Sequence, residues 1–172
     1  QALANLYPMY LAQKKDALET EPARPFARRV DLLRLAQSGK RMLVFVSHPW
    51  GGGIRRYMHD VAALASARCE VLYLEPAVGD TVKLSWPQQG ESFALFFTLP
   101  ADLPLLAETL RTIGVDRLHY HHVHLQPRSI LELPAAAGIA YDCTLHDYYA
   151  ICPQYHLVTE DGRYCGEPGP AG

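Results

Sequence analysis

Four histidines fall between positions 119 and 124 of this chain, in the stretch LHYHHVHL, and a fifth, His146, opens HDYY after a further apolar run. Near neutral pH an imidazole offers one hydrogen-bond donor and one acceptor, can ligate a metal and can move a proton. Upstream, HPWGGGIRRYMHD sets Gly51, Gly52 and Gly53 between an apolar run and a helical pattern, with Arg55 and Arg56 just behind. Glycine tolerates positive φ and puts no Cβ between the main chain and whatever approaches it. The unpaired N–H groups and positive dipole end of the helix that follows favour a phosphate or carboxylate, and the arginines add charge.

On a strand, His119 and His121 point to one face, and Tyr120, His122 and His124 to the other. The first pair is expected under helices and hydrogen-bonded, whereas His122 and His124 lie nearest the carboxyl end and are candidates for ligand contact. Two histidines two residues apart can grip zinc, with His146 or His48 as a third ligand. No supporting carboxylate can be assigned, and hydrogen bonding to a polar ligand suits these rings equally, so no metal is expected. In HDYY, His146 can serve as donor or base, and Tyr148 and Tyr149 can wall a sugar or nucleobase. The plainer alternative makes His146 the end of a strand and Asp147 the cap of the next turn.

These residues need a scaffold. RMLVFVS and CEVLYLE are short apolar runs without polar alternation, as in parallel strands covered on both faces. Between them, positions 54–67 place Ile54, Met58, Val61 and Leu64 at helical spacing. VKLSW and ESFALFFTL flank PQQG as a hairpin, and a helix over 101–113 should end at Gly114. Strand RLHYHHV, helix RSILELPAAA and strand IAYDCTL continue the alternation. Ahead of all this, positions 2–19 and 27–38 have helical composition, separated by EPARPF, with the second helix expected to stop at Gly39.

The expected fold class is α/β, a doubly wound, mostly parallel sheet with an inserted hairpin and N-terminal helices. With main-strand order 3-2-1-4-5, the order reverses between the strand ending at Ser47 and the one ending near Val123, which is where such sheets bind ligands. The glycine loop, the HHVH segment and the HDYY segment should meet along that carboxyl edge. The organisation reads as a helical extension over 1–38, a domain over 39–168 and the start of a linker over 169–172.

Composition narrows the partners. Of 172 residues, 49% are hydrophobic and 20% charged, with net charge −2, so no general pull toward nucleic acid is implied. The first twenty residues lack the features of a signal peptide and no run reaches the length of a membrane span, which makes a cytoplasmic chain the expectation. Four cysteines without a CxxC pair argue against a disulfide framework. A dinucleotide fingerprint would need glycine where Arg56 stands, although Glu75 occupies the place of a ribose-binding acid, and no Walker lysine pattern is present.

With these residues in view, the chain resembles the amino-terminal domain of GT-B glycosyltransferases of the large retaining family 4. FVSHPWGGGIRRYM is similar to that family's strand, glycine-pair loop and helix; TLHDYYAICPQYHLVTEDGRYCGEP is similar to the H-D-Y/F-x-x-x-C-P segment of a bacterial subgroup. The likeness covers residues 41–168. It implies a Rossmann-like acceptor-side lobe of an enzyme that transfers a hexosyl-type sugar from a nucleotide sugar to a glycan, lipid-carrier or small-molecule acceptor, with no other cofactor. By position, Gly51, Gly52, Gly53 and Arg56 would approach the donor diphosphate and His146 the donor sugar near the reacting centre; His122, His124, Asp147 and Tyr148 would line the acceptor side. Arg55 stands where many members have glutamate. The family's second, donor-binding domain is absent from these residues, so the chain is expected to be an inactive fragment, cytoplasmic or peripheral at the inner membrane surface. A nicotinamide-binding oxidoreductase domain and a non-catalytic sugar-binding module are the alternatives.

Overall fold

A computed structural model describes residues 24–87, 93–152, 154 and 156–166. The expected helix over 2–19 and the linker over 169–172 lie outside the described residues. The chain divides into two compact units, Gln1–Ser38 and Gly39–Gly172. In the first, helix α1 (Arg24–Ala36) begins with Pro25 in its opening turn, where the missing N–H has no intrahelical partner to lose. It ends at Ala36, short of the expected Gly39.

The second unit carries a six-stranded mixed sheet flanked by helices. In chain order its elements are β1 (Arg41–Val46), α2 (Gly53–Ala65), β2 (Cys69–Pro76), β3 (Thr81–Ser85), β4 (Ala94–Thr98), α3 (Leu103–Thr112), β5 (Val115–Tyr120), a 3-10 turn (Arg128–Glu132), α4 (Leu133–Ala137) and β6 (Ala140–Cys143). The strand order is β4-β3-β2-β1-β5-β6. Strands β2, β1, β5 and β6 run parallel, with the reversal of order falling between β1 and β5 as expected. The hairpin β3-β4 extends the sheet beyond β2 through two antiparallel pairings, which is why the sheet is mixed.

Both faces of the central strands are covered, which explains their unbroken apolar runs. One face presents Phe45, Val71 and Tyr73 to Met58 of α2, with Leu43, Ile54, Val61 and Ala62 packed around them. The other presents Val44, Val46, Leu72, Leu74 and Leu118, all fully buried. Each large side chain so buried contributes about 1.5–3 kcal/mol. Helix α3 stops at Thr112, two residues before Gly114, whose φ of 76° ends the helical path.

Two expected elements come out differently. The helix read into RSILELPAAA is split into the 3-10 turn and the short α4, because Pro134 lacks an N–H and must sit in a first turn. Strand β5 ends at Tyr120, so His121 to His124 belong to a loop and not to a strand. That loop is pinned across the sheet edge: the His121 N–H donates to the Val46 carbonyl at 2.9 Å, and Gln126 Nε2 donates to the carbonyls of Ser47 at 2.8 Å and Leu74 at 3.2 Å. Leu125, between them, takes a φ of 64°, an uncommon conformation for a branched residue, which turns the chain back toward β1.

Candidate functional site at the carboxyl edge of the sheet

The face assignment survives the early end of β5. His119 and His121 meet as tilted rings at 4.5 Å on the α2 side, His121 also meeting Phe45 at 4.6 Å and Tyr57 at 5.8 Å. On the opposite side the Tyr120 hydroxyl donates to the Ile130 carbonyl at 2.8 Å. At the end of the paired strands and past it, side chains join the β5 and β6 segments at a constant offset of 25 residues. His119 Nε2 lies 2.8 Å from Thr144 Oγ1, His121 Nδ1 3.1 Å from His146 Nε2, and His122 Nε2 3.1 Å from Asp147 Oδ2. His119 Nδ1 also contacts the Asp142 carboxylate, which Arg117 meets at 3.0 Å. The first pair is thus hydrogen-bonded, as its sequence context suggested.

Two ring tautomers are fixed by main-chain donors. The His124 N–H donates to His122 Nδ1 at 3.0 Å, which leaves the ring's proton on Nε2, donated to Asp147. Likewise the Trp50 N–H donates to His48 Nδ1 at 3.2 Å, so His48 carries its proton on Nε2. Asp147 is both the brace of His122 and the cap of the turn Tyr148–Ala150, its Oδ1 accepting the Tyr149 N–H at 2.9 Å. The plainer reading of Asp147 is therefore realised.

Gly51 and Gly53 line one cleft of about 210 Å³ with His48, Trp50, Ile54, His122, His124 and Asp147. Gly52, at the cap of α2, has φ 106° and ψ −160°, a region open to glycine alone. No side chain caps this helix and no acid stands in its first turn, so its first N–H groups have no protein partner by way of the helix. His146 lies not in this cleft but in an adjoining one of about 90 Å³, with His121, Thr144, Leu145 and Ala150 among its walls. The two share His122 and Asp147. Tyr57, from α2, faces His146 at 5.2 Å.

The arginines are placed otherwise than their sequence position suggested. Arg55 donates from Nη1 to Glu75 at 2.9 Å and to the Pro49 carbonyl at 3.3 Å, tying the loop to the end of β2. Lys83 of the hairpin reaches the other Glu75 oxygen at 3.6 Å, leaving the Glu75 side chain 4% exposed. Glu75 is committed to these two cations and is not presented to a ribose. Arg56, 85% exposed, pairs loosely with Asp60 at 3.8 Å and does not line the cleft. Donors toward an anion in the cleft come instead from the helix start and the His48 Nε2–H. Because both cations remain partly solvated, Glu75→Gln is expected to cost about 1–2 kcal/mol, read as a lower urea midpoint at unchanged slope.

One wall of the site, Trp50, carried little sequence signal. Trp50 packs against His48 at 5.3 Å and His124 at 4.9 Å. Of the two tyrosines expected to wall a ligand, Tyr149 rests on His122 at 4.8 Å and His124 at 5.4 Å, whereas Tyr148 is 53% exposed and lines neither cleft. The aromatic preceding the glycines in HPWGGG was the available clue to Trp50. Burial first, then the charges of His122 and His124, hold His48 below its ordinary pKa, against its own backbone hydrogen bond and Asp147. Burial likewise lowers His146; Asp147 opposes this, and His122 and His119 add to it. Burial, His119 and His146 push His121 down to about 3, opposed by Asp142.

Among the described residues no group of three histidine, cysteine or acidic side chains is arranged to hold a metal ion. Cys152 and Cys165 lie near one another, both as free thiols. No helix among the described residues is long and apolar enough to cross a membrane. No protein-family model matches the chain, and neither curated proteins nor solved structures give a match.

Proposed function

We propose that this chain is the acceptor-side lobe of a retaining glycosyltransferase that uses a nucleotide sugar, built as one Rossmann-like, doubly wound half of a GT-B fold. The observation that carries the reading is the cleft in which Gly51 and Gly53 face His122, His124 and Asp147 across the point where strand order reverses, with His146 one wall away. A diphosphate leaving group sits at the start of α2, where main-chain N–H groups and His48 Nε2–H offset the charge that develops on it. His146 contacts the donor sugar. Trp50, His124 and Tyr149 supply the flat walls that a glycan or lipid-linked acceptor packs on.

In the reaction the anomeric C–O bond to the diphosphate breaks and an acceptor oxygen bonds to that carbon on the same face, its proton passing to the departing phosphate oxygen. A second lobe must close the cleft against water, so residues 1–172 alone are expected to show no turnover. The site of action is the cytoplasm or the inner membrane surface, with no nucleic acid partner. Glu75 being occupied by Arg55 and Lys83, and Arg56 standing at the third glycine position, the nicotinamide alternative lacks its ribose contact.

The test is an NMR titration of the labelled chain with nucleoside diphosphate sugars and, separately, with NAD. The sugars are expected to shift the amides of residues 51–54 together with the His48 and His146 rings. Shifts with NAD alone, or none near the glycines at millimolar nucleotide sugar, would sink the reading. In the two-lobed enzyme His146→Ala is expected to lower kcat at least tenfold; parental turnover would remove the residue from the mechanism.

A further inference from the structure

We infer that His121 is the positioning residue for His146: it donates from Nδ1 to His146 Nε2 and so fixes His146 as the Nδ1–H tautomer, with that N–H as its free donor. The two nitrogens are 3.1 Å apart, so a single proton lies between them. Two arrangements are open. If His146 were the donor, His121 would carry its proton on Nε2, and that atom is buried with no hydrogen-bond partner among the described residues. If His121 is the donor, the same atom presents only a lone pair to its surroundings.

Buried N–H groups left without a partner are rarer than buried acceptors left short. The ring is 3% exposed, and among the described residues none of its neighbours, Phe45, Tyr57 and His119 included, places an acceptor within hydrogen-bonding distance of Nε2. An N–H directed at the Phe45 face is a second-order substitute for a hydrogen bond. The titratable and charged groups around the pair are His119, His122, Tyr57, Asp142 and Asp147. Asp147 spends its oxygens on His122 and Tyr149, while Asp142 meets His119 and Arg117. Burial and the neighbouring imidazoles also keep His121 uncharged over the whole range in which the fold is expected to persist. The pair therefore has one proton to place at neutral pH, and His121 keeps it on the side facing His146.

His146 Nδ1 has no hydrogen-bond partner among the described residues, so it is the nitrogen left for a ligand. As a donor it suits a sugar hydroxyl or ring oxygen and is not poised to take a proton. That last step rests on the transferase reading; the tautomer does not.

The experiment is a long-range proton–nitrogen correlation on the histidine rings of the labelled, otherwise unaltered chain at pH 7. A proton on Nδ1 and a lone pair on Nε2 are expected at His146, with a proton on Nδ1 at His121. A proton on Nε2 of either ring, or rapid averaging between the two forms, overturns the inference. In His121→Phe, which keeps an aromatic ring but no donor, His146 is expected to lose its fixed Nδ1–H form. Retention of that form would deny His121 the role. Should that variant fail to fold, His121→Gln, whose amide can still donate, is expected to keep His146 as Nδ1–H; loss there overturns the inference too. In an active two-lobed enzyme the Phe variant is expected to lower kcat severalfold with KM little changed, and Gln to restore part of it. The expected tautomers in a chain whose amides 51–54 do not respond to nucleotide sugar would refute the proposed function and leave the pairing standing.

Discussion

Acidification from pH 6.5 to about 3.5 is expected to remove on the order of 4 kcal/mol of stability through His121 alone. The group ordinarily titrates at 6.5 and is held at about 3 in the fold by burial, His119 and His146. An unfolded chain therefore binds a proton at His121 below pH 6.5 while the folded chain does not. Stability is fully present above 6.5 and is lost as pH falls toward 3. His48 and His146 shift in the same direction and steepen the upper part of that window. Domains of this size have about 5–15 kcal/mol in total, so loss of secondary structure by circular dichroism is expected near pH 4. His121→Phe keeps an apolar ring against Phe45 and removes the proton site. Urea midpoints measured against pH should be flatter for that variant, whatever its stability at pH 7; parallel curves would show that His121 does not carry the acid sensitivity.

The sequence announced the sheet better than the site. Apolar runs such as those over 42–46 and 71–74 fit central strands covered on both faces, and the alternation with helices brings the glycine loop to the edge beside β5. What pattern could not reveal was how long-range partners use up functional groups. Arg55 and Arg56 share one first turn, yet the first is consumed by Glu75 from another strand and the second faces solvent. Period-2 alternation gave the right faces for His121 and His122 even though the strand stops at Tyr120, because the N–H groups of both residues are held by the Val46 carbonyl while Gln126 anchors the far end of the loop. The choice between Tyr148 and Tyr149 depended on the turn that Asp147 caps, and one residue of slip swaps which ring meets the histidines.

Substituting the three glycines one at a time is expected to separate backbone strain from ligand approach. Gly52→Ala forces a Cβ onto φ 106°, ψ −160°, at a cost of about 1–3 kcal/mol. Gly51 and Gly53 are in ordinary negative-φ territory, and a Cβ built on either meets nothing within 4 Å. Alanine at these two positions should leave the urea midpoint within about 0.5 kcal/mol of parental, or raise it at Gly53, the first residue of α2. Both line the cleft, so the added methyl occupies space that a phosphate oxygen needs to reach the main chain. Gly51→Ala and Gly53→Ala are therefore expected to weaken nucleotide-sugar binding at least tenfold, about 1.4 kcal/mol, without unfolding the chain. Equal affinity for parent and Gly53→Ala would mean that no ligand approaches this backbone, and that a tight turn, satisfied by Gly52 alone, is all the sequence required there.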